Sequence, residues 1–473
     1  MSQCKYSEIC KLEGQLATGT DRFCILHFPS KGKSIEDFNK AIHRQMENGS
    51  ADFRHVFFPH PFSFVNLTFP DIADFRDIQN LNQLLLEGTT LKGLRTDDGC
   101  VQSINLQRAT NAGPLNINSK LLSDFRAQSA KFENGVDITI PTGGGYVDLS
   151  NSEFSSPVRF KCVDANHFSF RGAKISDSLE LKSSAFHSLP DFEGTVFGEK
   201  STVDFSYSKF NAGVALVLKE TLPNWICIDG TRFNSRARIE VRLGRGFLKI
   251  IAKEEAPYFV DDVVFVNVDL SECRLVGNTI DTMVFSNVRW QGVQKWRSGL
   301  YDEVATRNEN EFGHIKEAYQ ALKQKYQGMG DNVRAGEFHY GEMEMKRRER
   351  GKVQRFFCPE FLYWALSGYG HSWRRAFGVL LGLVLLFAIA YMWAEDNLSF
   401  FWETLRAGIP DKRQLRVIGA DFFDALYYSL RVAVLQKPEA GGTAQRWIQL
   451  AETILAPVQI ALFILALRMR LKR

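Results

Sequence analysis

Between residues 265 and 290 a large apolar side chain stands at every fifth position: Phe265, Leu270, Leu275, Ile280, Phe285 and Trp290. A period of five suits neither a helix at 3.6 nor a strand at 2. It suits a chain that turns a corner every five residues. Four such segments close a square coil with the large residue pointing inward each time, and stacked coils bury a continuous ladder. The spacing extends upstream with slips, in Leu149 and Phe154, Phe170 and Ile175, Leu181 and Phe186, Phe192 and Phe197, Phe205 and Phe210, and Ile228 and Phe233. Phenylalanine is over-used to match, with 38 copies against 8 Trp and 13 Tyr. The large residue often follows a small or apolar residue and a polar one, as in Ala51-Asp52-Phe53, Ala73-Asp74-Phe75, Ser123-Asp124-Phe125 and Val268-Asp269-Leu270.

That triplet pattern resembles the pentapeptide-repeat family, whose motif is roughly A-(D/N)-L-x-x. The resemblance covers about half the chain, residues 50–292, and implies a right-handed quadrilateral β-helix. The spacing drifts to six or eight in places. Residues 211–262 largely lose it, which predicts a bulge or an inserted lobe there. A ligand would have to use the outward positions, because the ladder itself is core.

The period changes after Ser298. Phe312, Ile315, Tyr319, Leu322 and Tyr326 recur at steps of three and four, which predicts an amphipathic helix. Gly328 to Asp331 signals a turn. A second helix follows with Phe338, Met343 and Met345. The pair, residues 298–350, is similar to a single tetratricopeptide-like unit and reads as a cytoplasmic connector.

Residues 355–473 carry the long apolar runs. Ala376 to Ala394 has no charge over nineteen residues, about 28 Å of helix. Phe361, Tyr363, Trp364, Tyr369 and Trp373 form an aromatic belt before it, and Arg374 and Arg375 stand at its entry. Trp447 to Leu467 is the second span, with Glu452 its only charge. Basic residues before the first span and after the second predict both termini in the cytoplasm of a plasma (inner) membrane. The start, MSQCKYSEIC, has no apolar leader core, which agrees. The connection 395–446 carries seven basic and seven acidic residues. Within it, residues 421–435 are too short between charges to span and read as a re-entrant helix. The order span, short helix, span resembles the two-transmembrane pore module of potassium-channel-like proteins. Asp421 to Leu430 is similar to that family's pore helix, and Glu452 to Arg470 to its inner helix. The resemblance implies a homo-oligomer, a tetramer first. The T-x-G-Y-G filter is absent: Arg431 to Gly442 reads RVAVLQKPEAGG, so potassium selectivity does not carry over.

Four sites of chemistry stand out. Cys4, Cys10, Cys24 and His27 have the spacing C-x5-C-x13-C-x2-H, which suits a closed structural zinc site in a segment (1–30) too short for its own core. Glu452 is either a partner of Arg446 or a pore-mouth ring. Arg431 faces a vestibule or is a surface arginine that pairs with Asp424. Asp421 and Asp424 either line the pore or favour a helix's first turn. Eight cysteines in 473 residues do not make a disulfide framework. A net charge of +4 gives no bulk reason for nucleic acid as a partner. No nucleophile–base set, dinucleotide fingerprint or HExxH is present, so an enzyme is not expected. The expected whole is a β-solenoid sensor, open to a protein ligand, on a bilayer-embedded pore. Such a pairing would suit a bacterial effector that depolarises the cell under stress or phage attack. The alternative is a membrane-anchored scaffold that conducts nothing.

Overall fold

The computed structural model describes residues 4–6, 14, 16–18, 21–97, 101–119, 121–140, 145–162, 165–219, 221–242, 246–294, 297–306, 308–351, 353–394, 412–436, 438–439 and 441–471. Two compact units divide the chain, residues 1–293 with 300–305, and residues 294–299 with 306–473.

The first unit is a parallel β-solenoid. Its short strands stack in sheets of ten, nine, six and four strands, all parallel. Asp52, Asp74, Arg95, Asn116, Asp137, Arg159, Glu180, Asp204 and Cys227 stand one above another along one face. A coil therefore closes on this face after 21 residues (Arg95 to Asn116) to 24 residues (Glu180 to Asp204), and on the others after 20 (Thr90 to Thr110) to 26 (Arg232 to Tyr258). Phe265, Leu270, Leu275, Ile280, Phe285 and Trp290 are all buried, as are Phe53, Phe58, Phe64, Phe69 and Phe75. Phe186, Phe210, Phe233 and Phe259 pair in register and stack face to face, with centroids 4.9, 5.1 and 4.8 Å apart.

The polar residue of the triplet has a local reason. Asp52, Asp74, Asp148, Asp191, Asp204 and Asp269 each accept the backbone N–H two residues on, which turns the chain at the corner. Buried hydroxyls cross-brace the coils. Thr195 donates to the Phe170 carbonyl, Ser208 to Leu181 and Thr231 to Phe205.

No lobe interrupts the described part of 211–262. Strands Val214–Leu218, Ala237–Val241 and Leu248–Ala252 continue the stack. These faces are five residues long, and along them Val214, Leu216 and Leu218 point in at steps of two. The five-step disappears from the sequence because longer strands carry their own period.

The ends are closed. Helix α1 (Ile35–Glu47), N-capped by Ser34, buries Phe38 and packs it edge-on to Phe58 at 5.5 Å. At the other end lies the short α2 (Tyr301–Ala305), where Asp302 Oδ2 accepts the Leu275 N–H at 2.9 Å.

The second unit is helical. α3 (Phe312–Gly328) and α4 (Asn332–Arg348) form a hairpin, with Asp331 capping α4. Phe312, Ile315, Tyr319, Leu322, Tyr326 and Phe338 are buried between them. Gly341 is there because α4 runs against the Tyr319 ring: a Cβ would meet it at 2.6 Å. α5 (Pro359–Ser367) ends on Gly368 in the left-handed region, φ 58°. Its Trp364 indole donates to the Tyr340 hydroxyl at 3.0 Å and is covered by the Arg375 guanidinium at 4.3 Å. Glu344 gathers Arg347, Arg348 and the Tyr369 hydroxyl.

Three longer helices complete the unit: α6 (Trp373–Ala394), α7 (Lys412–Ala433) and α8 (Thr443–Leu471). α6 and α8 are long and apolar enough to cross a membrane, with mean hydropathy 2.3 and 2.1. Their outer faces are apolar and exposed, with Leu386 at 62% and Ile454 at 60%. α7 begins at Lys412, well before the 421 expected from hydropathy, and packs on both α6 and α8.

Candidate functional site

Two polar clusters are buried where the sequence offers no ordinary core. The first is N-terminal. Strand Asp21–Phe23 pairs antiparallel with Leu16–Thr18 and delivers Cys24 into a tight turn that ends at His27. The Lys5 amide donates to the Arg22 carbonyl, which lays Cys4 alongside Cys24. Cys4, Cys24 and His27 are all buried, and their ligand atoms lie within 4.8 Å of one another. His27 Nδ1 is 3.1 Å from Cys24 Sγ and 3.7 Å from Cys4 Sγ. Its other nitrogen, Nε2, is 3.1 Å from the Arg54 carbonyl oxygen. Because a carbonyl can only accept, that contact puts the ring proton on Nε2 and leaves Nδ1 as a lone pair toward the sulfurs. Cys10 lies outside the described residues. Lys33 backs the turn and donates to the Leu26 and Phe57 carbonyls at 2.8 and 2.7 Å.

The second cluster is among the three long helices α6, α7 and α8. Glu452 on α8 is fully buried. Its Oε2 accepts the Tyr391 hydroxyl of α6 at 2.8 Å, and its Oε1 accepts the Ser429 hydroxyl of α7 at 2.5 Å. Phe387, Ala388, Met392 and Ala425 pack around it. One carboxylate thus ties three helices. A further tie is Gln459, whose amide donates to the Leu366 and Ala376 carbonyls at 3.1 and 2.8 Å. It holds the end of α5 level with the start of α6.

The remaining sequence candidates are dispersed. Asp421 is half-buried and Asp424 exposed, both well inside α7 and not in its first turn, since the helix starts earlier. Arg431 meets Gln436 at 3.0 Å and the Tyr427 ring at 5.8 Å, rather than Asp424. Glu452 faces the interior of its own helix bundle rather than Arg446.

Compared with known proteins, the chain matches no family model, no curated protein and no solved structure. The class rests on the fold alone: a β-solenoid protein with two helices long and apolar enough to cross a membrane.

Sequence reasoning passed over Tyr391, Ser429 and Gln459. Single polar residues on apolar helices carry no spacing signal. It also passed over α1, although Ser34 followed three residues later by Asp37 is a readable helix start.

Proposed function

We propose that this protein is a solenoid sensor anchored in a bacterial plasma membrane. Its helical module self-associates, as a tetramer, into a poorly selective ion pore. The observation that supports this reading most is α7, an amphipathic helix of 22 residues packed against both long apolar helices. Its inner face is Ala425, Ser429 and Val432. Its outer face, Phe423, Tyr427, Leu430 and Val434, is exposed and apolar, a surface that a second copy would cover. A cytoplasmic protein ligand would bind the outward positions of the solenoid, and the pore would respond. An effector that depolarises the membrane under stress or phage attack would be built this way. The test is ion flux through the full chain reconstituted in liposomes, together with its subunit number in detergent. No flux at any voltage or tension would remove the pore.

The second reading is an anchored scaffold without conduction. Glu452 favours it: the only ionisable side chain between Trp447 and Leu467 is committed inside the protomer and does not face outward. Arg431→Glu separates the two. In a pore it shifts the reversal potential toward cations in a salt gradient. In a scaffold there is no current to shift.

A further inference from the structure

We infer that Cys4, Cys24 and His27 bind one zinc ion that clasps the N-terminal segment onto the first coil of the solenoid. The donor set is two sulfurs and one imidazole nitrogen, which selects a tetrahedral, borderline-soft divalent ion. The geometry has the right scale. Zinc–sulfur and zinc–nitrogen bonds of about 2.3 and 2.0 Å at tetrahedral angles set a sulfur–nitrogen edge of roughly 3.5 Å. The two edges here, 3.1 and 3.7 Å, bracket it. The His27 ring already presents Nδ1, because Nε2 donates to the Arg54 carbonyl, as the outer partner of a metal-bound imidazole does. On binding, each cysteine thiol gives up its proton to solvent, and two thiolates with a neutral imidazole complete three positions of the site.

The site joins the segment to the solenoid rather than to itself. Arg54 belongs to the first coil. Tyr6, two residues from Cys4, stacks on His55 with centroids 4.7 Å apart. The Phe57 amide donates to the Leu26 carbonyl, one residue from His27. Among the described residues of the segment, Phe23 and Leu26 are the buried apolar side chains beside the cysteines, a small core for a metal to supplement. A metal would add cross-linking to the packing of these two side chains.

The experiment measures zinc in full-length protein purified in detergent. About one zinc per chain is expected. Cys24→Ser and His27→Ala should each lower it at least tenfold, while His43→Ala, at an exposed histidine, leaves it unchanged. Cobalt exchanged into the wild-type protein should show sulfur-to-cobalt charge-transfer absorption, a readout that does not depend on any variant folding. Chelation should speed hydrogen exchange of the Phe57 amide and leave that of Phe210 unchanged. Wild-type protein that is folded and metal-free after growth in zinc, or Cys24→Ser with full zinc, would overturn the proposal. None of these outcomes depends on ion flux.

Discussion

Tyr391 and Glu452, 61 residues apart in the chain, meet hydroxyl to carboxylate at 2.8 Å inside the helical unit. In an apolar bundle such a bond between helices is worth about 1 kcal/mol. Tyr391→Phe should therefore lower the stability of this unit by that order, read by thermal unfolding in detergent. Glu452→Ala should cost more, since it opens a cavity and strands the Tyr391 hydroxyl, while Ser429 keeps its bond to the Val384 carbonyl. Equal, negligible effects of both would mean that the clasp does not hold the helices.

The Phe186–Phe210–Phe233–Phe259 column makes a sharp test of the core. Phe210→Ala should cost about 3–5 kcal/mol and Leu275→Ala about 2–5 kcal/mol. The neighbour Lys209 points outward, and Lys209→Ala should stay within about 0.5 kcal/mol. Chemical unfolding of the full chain, followed by solenoid circular dichroism, measures the difference.

Two glycines of the hairpin should respond with opposite signs. Gly341→Ala drives a methyl into the Tyr319 ring and should destabilise by about 1–3 kcal/mol. Gly328→Ala meets nothing within 4 Å and should stabilise by up to about 1 kcal/mol.

Acid and base should act oppositely on two buried carboxyls. Burial raises the pKa of Asp302 above its ordinary 3.8, against the hydrogen bond from Leu275. The native state then holds a proton that the unfolded state has lost, so its contribution falls as pH rises from 3.8 through the raised value. Asp302→Asn should remove that slope, seen in the pH dependence of hydrogen exchange at the Leu275 amide. For Glu344, burial pushes upward but Arg347 and Arg348 outweigh it, and its pKa lies below the ordinary 4.5. Its contribution is present above that value and is lost as pH falls below it. Glu344→Gln should flatten the acid limb of the helical unit's stability.

The solenoid was readable because its core repeats. Each Phe or Leu at a corner marks the next, so that even weak triplets such as Ala51-Asp52-Phe53 reinforce one another. The pattern faded over 214–252 because five-residue strands alternate inward and outward, hiding the corner spacing beneath a period of two. The apolar spans were readable by length. The start of α7 was not, because its first residues, KRQLR, are charged. The partners of Glu452 were out of reach for a different reason. Tertiary packing alone brings Tyr391 and Ser429 to it.

The coil of 20 to 26 residues has one more consequence. Each coil pairs with the one before and the one after, while the two closing devices, α1 with Phe38 and α2 with Asp302, sit at the two ends of the stack. Length and closure are thereby independent variables. Duplicating or deleting one whole coil would change the reach of the solenoid by about 4.8 Å and leave both ends as they are. A single-residue insertion would instead turn every following side chain on its face inside out. Evolution can therefore resize this solenoid like a ruler, in whole graduations and never in fractions.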